Sequence, residues 1–313
     1  MTDNLGMVEH AKYHFAKKSE GYTTDDNARA YQVMIRLGNP GGVFLTFLEK
    51  AYEGGGFHND ADIDGQWIDQ PGYGGWYGRA ILALGEGRIR GVDEDRRICE
   101  KLLDGALKNV LRADSIRSEA YIILGLSQSE KEIKLVQKLS DKLVATYEDN
   151  VSSNWKWFEQ GFYYDNGKLP QALFQDYKVT NNNRFLEVAK ESLDFLIEKS
   201  YDPDGDFFMF PGTNGWWKRN KPWELFDEQP VDAGSLVEAC AAAYQVTKDN
   251  HYLDWANTAW EWYEGRNLLG LSMIDEETGG VRDGLHEDRV NLNEGAEAVL
   301  SYLLAGLAIK EIL

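Results

Sequence analysis

The 313-residue chain carries 52 acidic against 33 basic residues, a formal charge of -19, which excludes nucleic acid and anionic membrane surfaces as partners because both demand a basic footprint. Hydrophobic residues make up 43% and aromatics 12%, with ten Trp and no low-complexity tract, so a large core is available with aromatic side chains to spare. The start, MTDNLGMVEHAKYHF, lacks a basic stretch followed by an apolar run, and no segment approaches the roughly 18 apolar residues of a membrane helix. A cytoplasmic protein is expected, folding as one domain over residues 1–313. Cys99 and Cys240 each sit in a helical pattern, not in a CxxC pair, and predict buried thiols with no disulfide or zinc site.

In chain order, helical spacing of apolar residues begins with segments near 4–19 and 26–37. It continues with Phe44, Phe47, Leu48 and Ala51, then 79–84, then Ile98, Leu102 and Ala106, then 120–126. Val136, Leu139 and Leu143 follow, then 169–180, then Ala189, Leu193 and Leu196, then 236–244, then Ala256, Ala259, Trp260 and Tyr263, and finally 298–307. Two kinds alternate. One has a single wet face, whereas stretches such as 236–244 (LVEACAAAY) are apolar or small nearly all round and must be covered on both sides. About twelve helices that alternate outer and inner predict an all-α fold, six helical hairpins closed into an (α/α)6 barrel.

Most outer-to-inner links are long, at about 53–75, 148–168, 200–229 and 265–291, while inner-to-outer links such as 38–40 are short. In an up-and-down ring all links of one kind lie at one end, so the long ones mark a working face. Trp67, Trp76, Trp155, Trp157, Trp216, Trp217 and Trp223 fall in or beside them. The inner helices begin at that end, with their unpaired N–H groups facing the mouth.

Acids gather at these helix starts. In TTDDNAR at 23–29, Thr23 fits a helix cap, Asp26 completes a capping pair and Asp25 can pair with Arg29, while either Asp25 or Asp26 is placed to act as acid, base or nucleophile. Segment 155–171 sets Glu159, Asp165 and Asn166 among aromatics, a mixture that suits sugar rings and their hydroxyls. Segment 224–233 adds Asp227, Glu228 and Asp232 around Pro230, and segment 291–297 reads as an Asn cap with Glu294 three residues on and Glu297 one turn later. The run at 57–69 faintly resembles a calcium loop but has Gly74 at the closing position. No HExxH helix, GxSxG elbow or phosphate loop is present, and no metal or cofactor is called for. Paired carboxylates remain, and glycosidic hydrolysis is the reaction they serve most directly.

The strings YTTDDNARA (22–30), GRAILALG (78–85), YDNGKLPQA (164–172) and NLNEGAE (291–297) resemble a family of bacterial and archaeal barrels. That family is similar to six-hairpin glycosidases and often occurs fused to glycosyltransferases or encoded near mannoside phosphorylases. The resemblance implies the (α/α)6 fold, work on glycans that include mannose-containing ones, and a partnership with a glycosyltransferase or glycoside phosphorylase. The loop at 57–69 is longer and more acidic than the family pattern, and the barrel is expected to stand alone, without an attached transferase.

The expectation is a glycoside hydrolase or transglycosylase acting on an oligosaccharide. Its carboxylate pair would join Asp25 or Asp26 to one of Glu159, Asp165 or Glu228. Substrate contacts are expected from Arg29, Trp67, Asp69, Trp76, Trp157, Tyr164, Asn166, Gln171, Gln229, Asp283, His286 and Glu294. A non-catalytic glycan-binding barrel is the alternative, and a sugar epimerase the next, for which His58 and His286 are the histidines available in mouth loops.

Overall fold

The first inner helix, α1 (Thr24–Arg36), starts where the Thr23 hydroxyl accepts the backbone N–H of Asp26, the cap that the sequence predicts. A computed structural model describes all 313 residues. Outer helices are α2 (Gly42–Ala51), α4 (Asp93–Ala106), α6 (Ile133–Asn150), α8 (Asn183–Ser200) and α10 (Asn250–Glu261). Inner helices after α1 are α3 (Gly75–Arg90), α5 (Ile116–Leu126), α7 (Lys168–Thr180), α9 (Pro230–Thr247) and α11 (Ala296–Lys310). Each inner helix packs on the next, and α11 closes on α1. The architecture is the (α/α)6 barrel.

The reason for the closed inner ring is in the side chains. Helix α9 buries every residue from Pro230 to Ala243, so it has no wet face to turn outward. Close contact between neighbours depends on small residues: a Cβ at Gly85 of α3 would stand 2.0 Å from the Gly125 carbonyl oxygen of α5.

One expected helix is missing. Residues 4–19 form an antiparallel hairpin, Ala11–Lys12 against Phe15–Ala16, followed by a 3-10 turn, Lys18–Glu20, so five outer helices face six inner ones. The chain is instead clipped to α1, where Asn27 accepts from the Met7 N–H at 2.9 Å and donates to the Met7 carbonyl at 3.3 Å. Met7, Val8 and Ala11 are buried while Tyr13 and Phe15 lie exposed, a pattern with no helical stripe.

Links run as predicted, short at the far end (181–182 and 248–249, for example) and long at the mouth (52–74, 151–167, 201–229 and 262–295). The exception is the mouth link after α4, shortened into a 3-10 turn, Leu107–Arg112. Six two-residue antiparallel ladders stiffen the mouth links and the N-terminal segment, too short to leave an alternating pattern in the sequence. Trp155, Trp157, Phe162, Phe195 and Trp217 interlock beneath the mouth loops, with Trp157 meeting Phe162 at 4.8 Å between centroids. Three of the seven loop tryptophans, Trp155, Trp157 and Trp217, thus extend the main core beneath the mouth loops.

Candidate active site

At the mouth the inner helix starts surround a cleft of about 540 Å³. Its lining includes Glu9, His10, Asp25, Asp26, Asn59, Trp76, Tyr164, Gln229, Asp283, Asn291 and Glu297. Five carboxyl groups therefore face one hollow that has few apolar walls.

Arg29 organises three of them. It is 1% exposed, and its Nη1 donates to Asp26 at 3.0 Å and forms an ion pair with Asp25 at 2.7 Å, while Nη2 donates to Glu297 at 2.8 Å and to the Tyr164 hydroxyl. Asp25 also accepts from Arg79 Nε at 2.5 Å. The Tyr164 hydroxyl in turn donates to Glu297 Oε2, the same oxygen that Arg29 holds. Glu297 Oε1 has no protein partner. A side chain with one oxygen anchored and the other free is fixed in direction yet open to a ligand.

Burial pushes the Asp26 carboxyl up to about 7 against the pull of Arg29, and the Asp25 and Glu297 charges push the same way. Thr23 donates to Asp26 Oδ2 at 2.9 Å, so the helix cap also orients this carboxyl. Asp283 and Glu9 are likewise raised by burial. A carboxyl raised toward neutral pH thus lines a cleft beside anchored carboxylates, the arrangement that acid–base catalysis requires.

Of the residues expected from sequence, Asp25, Asp26, Trp76, Tyr164, Gln229 and Asp283 meet in this cleft. Others are placed elsewhere. Glu159 pairs with Arg117 at 2.8 Å, and Arg117 holds the Tyr164 carbonyl, so Glu159 braces the loop behind the cleft. Asp165 is wholly buried, gripped by Arg79 at 3.0 Å and by the Tyr121 hydroxyl; Arg79 and Lys168 outweigh burial and hold its carboxyl below the usual range. Glu228 is wholly buried too, accepting from the Phe210 N–H and Trp262 Nε1, both at 3.0 Å, and burial lifts it to about 8. Neither of these acids reaches the cleft.

Arg29 acts on the cleft acids from below. Trp67 stacks on His58 at 5.2 Å, and Asp69 holds that imidazole and the Asn59 N–H, an indirect support for Asn59 in the cleft. Trp157 is in the core beneath the mouth loops. Asn166 joins Tyr163 to Asp232. Gln171 lines a separate hollow toward the far end, and Glu294, buried, accepts from Arg282 at 3.0 Å and Thr278 at 2.9 Å. Glu294 caps nothing, because α11 begins only at Ala296 and Asn291 lies in a hairpin. His58 is closed in between Glu53 and Asp69, and His286 Nδ1 pairs with Asp227 in a neighbouring hollow. The histidine in the cleft is His10.

The sequence reading missed Glu9, His10 and Asn59, and passed over Glu297 as a site residue. Glu297 had a signal, one turn beyond the NLNE motif at the start of an inner helix. Glu9 and His10 had none, since their segment read as helix.

The sequence model of glycosyl hydrolase family 76 matches residues 128–308, more than half of the chain. The chain belongs to that family. The family 76 match spans α6 to α11 and so contributes Tyr164, Gln229, Asp283 and Glu297 to the cleft, while Asp25, Asp26 and Trp76 come from the preceding helices. Among solved structures the fold is similar to a D-mannose isomerase (TM-score 0.72, 15% identity, covering 100% of this chain and 92% of that one). It is also similar to the cellobiose 2-epimerase of Bacillus thermoamylovorans (TM-score 0.73, 15% identity, 99% and 93% covered). A family 76 α-mannanase from Bacteroides thetaiotaomicron gives TM-score 0.62 at 13% identity, with 97% and 89% covered. No curated protein matches the chain. At these identities the likenesses establish the barrel, and family membership establishes a glycosidase-type enzyme.

Proposed function

We propose that this chain hydrolyses the glycosidic bond of a mannose-containing oligosaccharide in the mouth cleft, with Asp26 as proton donor and Glu297 as the opposing carboxylate. The observation that carries this is the Arg29 hub: one guanidinium holds Asp26, whose carboxyl burial raises to about 7, and a Glu297 whose Oε1 is free, both lining the same cleft. Asp26 protonates the leaving oxygen; Glu297 Oε1 either activates water or attacks the sugar carbon. Asp25, with an oxygen on each of Arg29 and Arg79, keeps the two guanidiniums in place. Trp76 offers a ring face to the sugar, and Asn59, Gln229 and Asn291 offer groups for its hydroxyls.

The mannose assignment is supported by the family, whose solved members include mannanases, one of them an α-1,6-mannanase held with α-1,6-mannotetraose as an inactive variant lacking two consecutive aspartates. Chromatographic product analysis with α-linked manno-oligosaccharides tests the reading. Shorter sugars from the wild type and none from Asp26→Asn are expected, and NMR of the first-formed anomer distinguishes inversion from retention. Products of unchanged mass would instead make the cleft that of an isomerase or epimerase, with His10 as the base available. Binding without turnover would make it a glycan holder, the form in which partnership with a transferase is most direct.

A further inference from the structure

Beside the cleft lies a second hollow of about 510 Å³, and Asn291 lines both. Its floor is apolar and open to solvent: Tyr13 is 49% exposed, Leu292 48% and Leu271 39%. Polar groups surround that floor. His286 gives its Nδ1 to Asp227 and keeps Nε2 unpartnered, while Arg289 and Asn293 complete the rim. An exposed aromatic among aliphatic side chains, ringed by groups that suit hydroxyls, is the chemistry of a sugar-binding surface.

Tyr13 is held there at a conformational cost. It sits at the tip of the hairpin 11–16 with φ +54°, a left-handed conformation that disfavours any residue with a Cβ. Two hydrogen bonds fix it to the segment that leads into α11: its N–H donates to Asn293 Oδ1 at 3.0 Å, and its carbonyl accepts the Glu294 N–H at 2.9 Å. Strain of this kind persists where the surroundings over-determine it, typically at binding sites. The same hairpin segment carries Glu9 and His10 into the catalytic cleft, so the two hollows share a wall.

We infer that this hollow is an outer subsite that holds the continuing sugar chain of the substrate, with Tyr13 as its stacking platform. The inference rests on the glycan reading above and commits the enzyme to substrates longer than the cleft alone would hold. It is tested by binding, which needs no turnover. Titration calorimetry on Asp26→Asn with an α-linked manno-disaccharide and manno-hexasaccharide should show the longer sugar binding about ten-fold tighter. Adding Tyr13→Gly should abolish that gain and leave the disaccharide affinity as it was. Because φ is positive, glycine relieves strain at this position, and an unchanged or raised melting temperature verifies the fold of the variant. Equal affinities for the two sugars, no binding of either, or a length gain that survives Tyr13→Gly overturns the subsite. A wild type that binds by length yet cleaves nothing would sink the hydrolase reading and leave the subsite standing.

Discussion

Asp26 at the mouth and Glu86 toward the far end are both buried acids on inner helices, and each is paired with an arginine, yet their carboxyls move in opposite directions. Glu86 is held below its ordinary range: burial raises it, but Arg36 outweighs that with Nε at 2.9 Å and Nη2 at 2.5 Å on the two oxygens. Asp26 rises to about 7 because burial outweighs the pull of Arg29, whose guanidinium is divided among Asp25, Asp26, Glu297 and Tyr164. The difference is sharing. A guanidinium that grips both oxygens of a buried carboxylate outweighs its burial, and one that meets a buried acid through a single nitrogen while serving two other carboxylates leaves burial to raise it.

The largest effect expected from that contrast is on Asp26→Asn, which removes the titrating proton and should lower kcat by about 10³-fold. In the wild type, kcat/KM should fall above about pH 7, because the donor must be protonated and Asp26 loses its proton there. Retained turnover in the variant, or a flat profile from pH 6 to 9, would remove Asp26 from the mechanism.

Glu86→Gln probes the opposite end. Breaking a buried bidentate pair leaves Arg36 with only Glu238 at 3.9 Å, and stability should drop by about 3 kcal/mol in a urea titration. Turnover per folded molecule should not change. A loss of kcat in correctly folded Glu86→Gln would mean that the two ends are coupled and that sharing is not the distinction.

Glu297→Gln keeps the size of the side chain and its contact with Arg29 but removes the charge that Oε1 presents to the cleft. A fall in kcat of about 10²-fold with little change in KM is expected. If KM rises and kcat holds, Glu297 binds substrate and the reacting carboxylate is another cleft acid, with Asp283 next in line.

What could be read from sequence follows the same division between local and shared interactions. The inner helices were legible because two-sided burial needs an unbroken apolar stretch, as at 236–244, and Asp25 and Asp26 because a cap motif fell on an inner helix at the mouth. Asp165 and Glu228 looked equivalent to them. What separates these acids is long-range: Arg79 reaches Asp165 across 86 positions, and Trp262 reaches Glu228 across 34. The helix expected over 4–19 failed for a related reason, since Asn27 of α1 claims the Met7 backbone that a helix would have used internally. Tryptophan number pointed to a sugar cleft, but Trp157 and Trp217 fill the core beneath the loops and only Trp76 lines the cleft.

Glu228 offers the finest test, because it is a raised acid with no place in the cleft. Burial lifts it to about 8, opposed by the Phe210 N–H and Trp262 Nε1, and its Oε1 has no partner. Between the ordinary glutamate range and pH 8 the folded chain therefore holds a proton that the unfolded chain has released. Stability must fall as pH rises through that window, at roughly 1.4 kcal/mol per pH unit for one such group. Asp232, lifted to about 8, and Asp26, to about 7, add to the same slope, while Asp165 and Glu86, held low, contribute stability that is present above the ordinary carboxylate range and lost as pH falls below it. Urea midpoints should therefore decline from pH 6 to 8, and Glu228→Gln, which cannot ionise, should decline less steeply by about one group's worth. Parallel slopes for the two proteins would show that Glu228 ionises freely in the folded state, and the buried acids of the wall would then differ from those of the cleft in position alone.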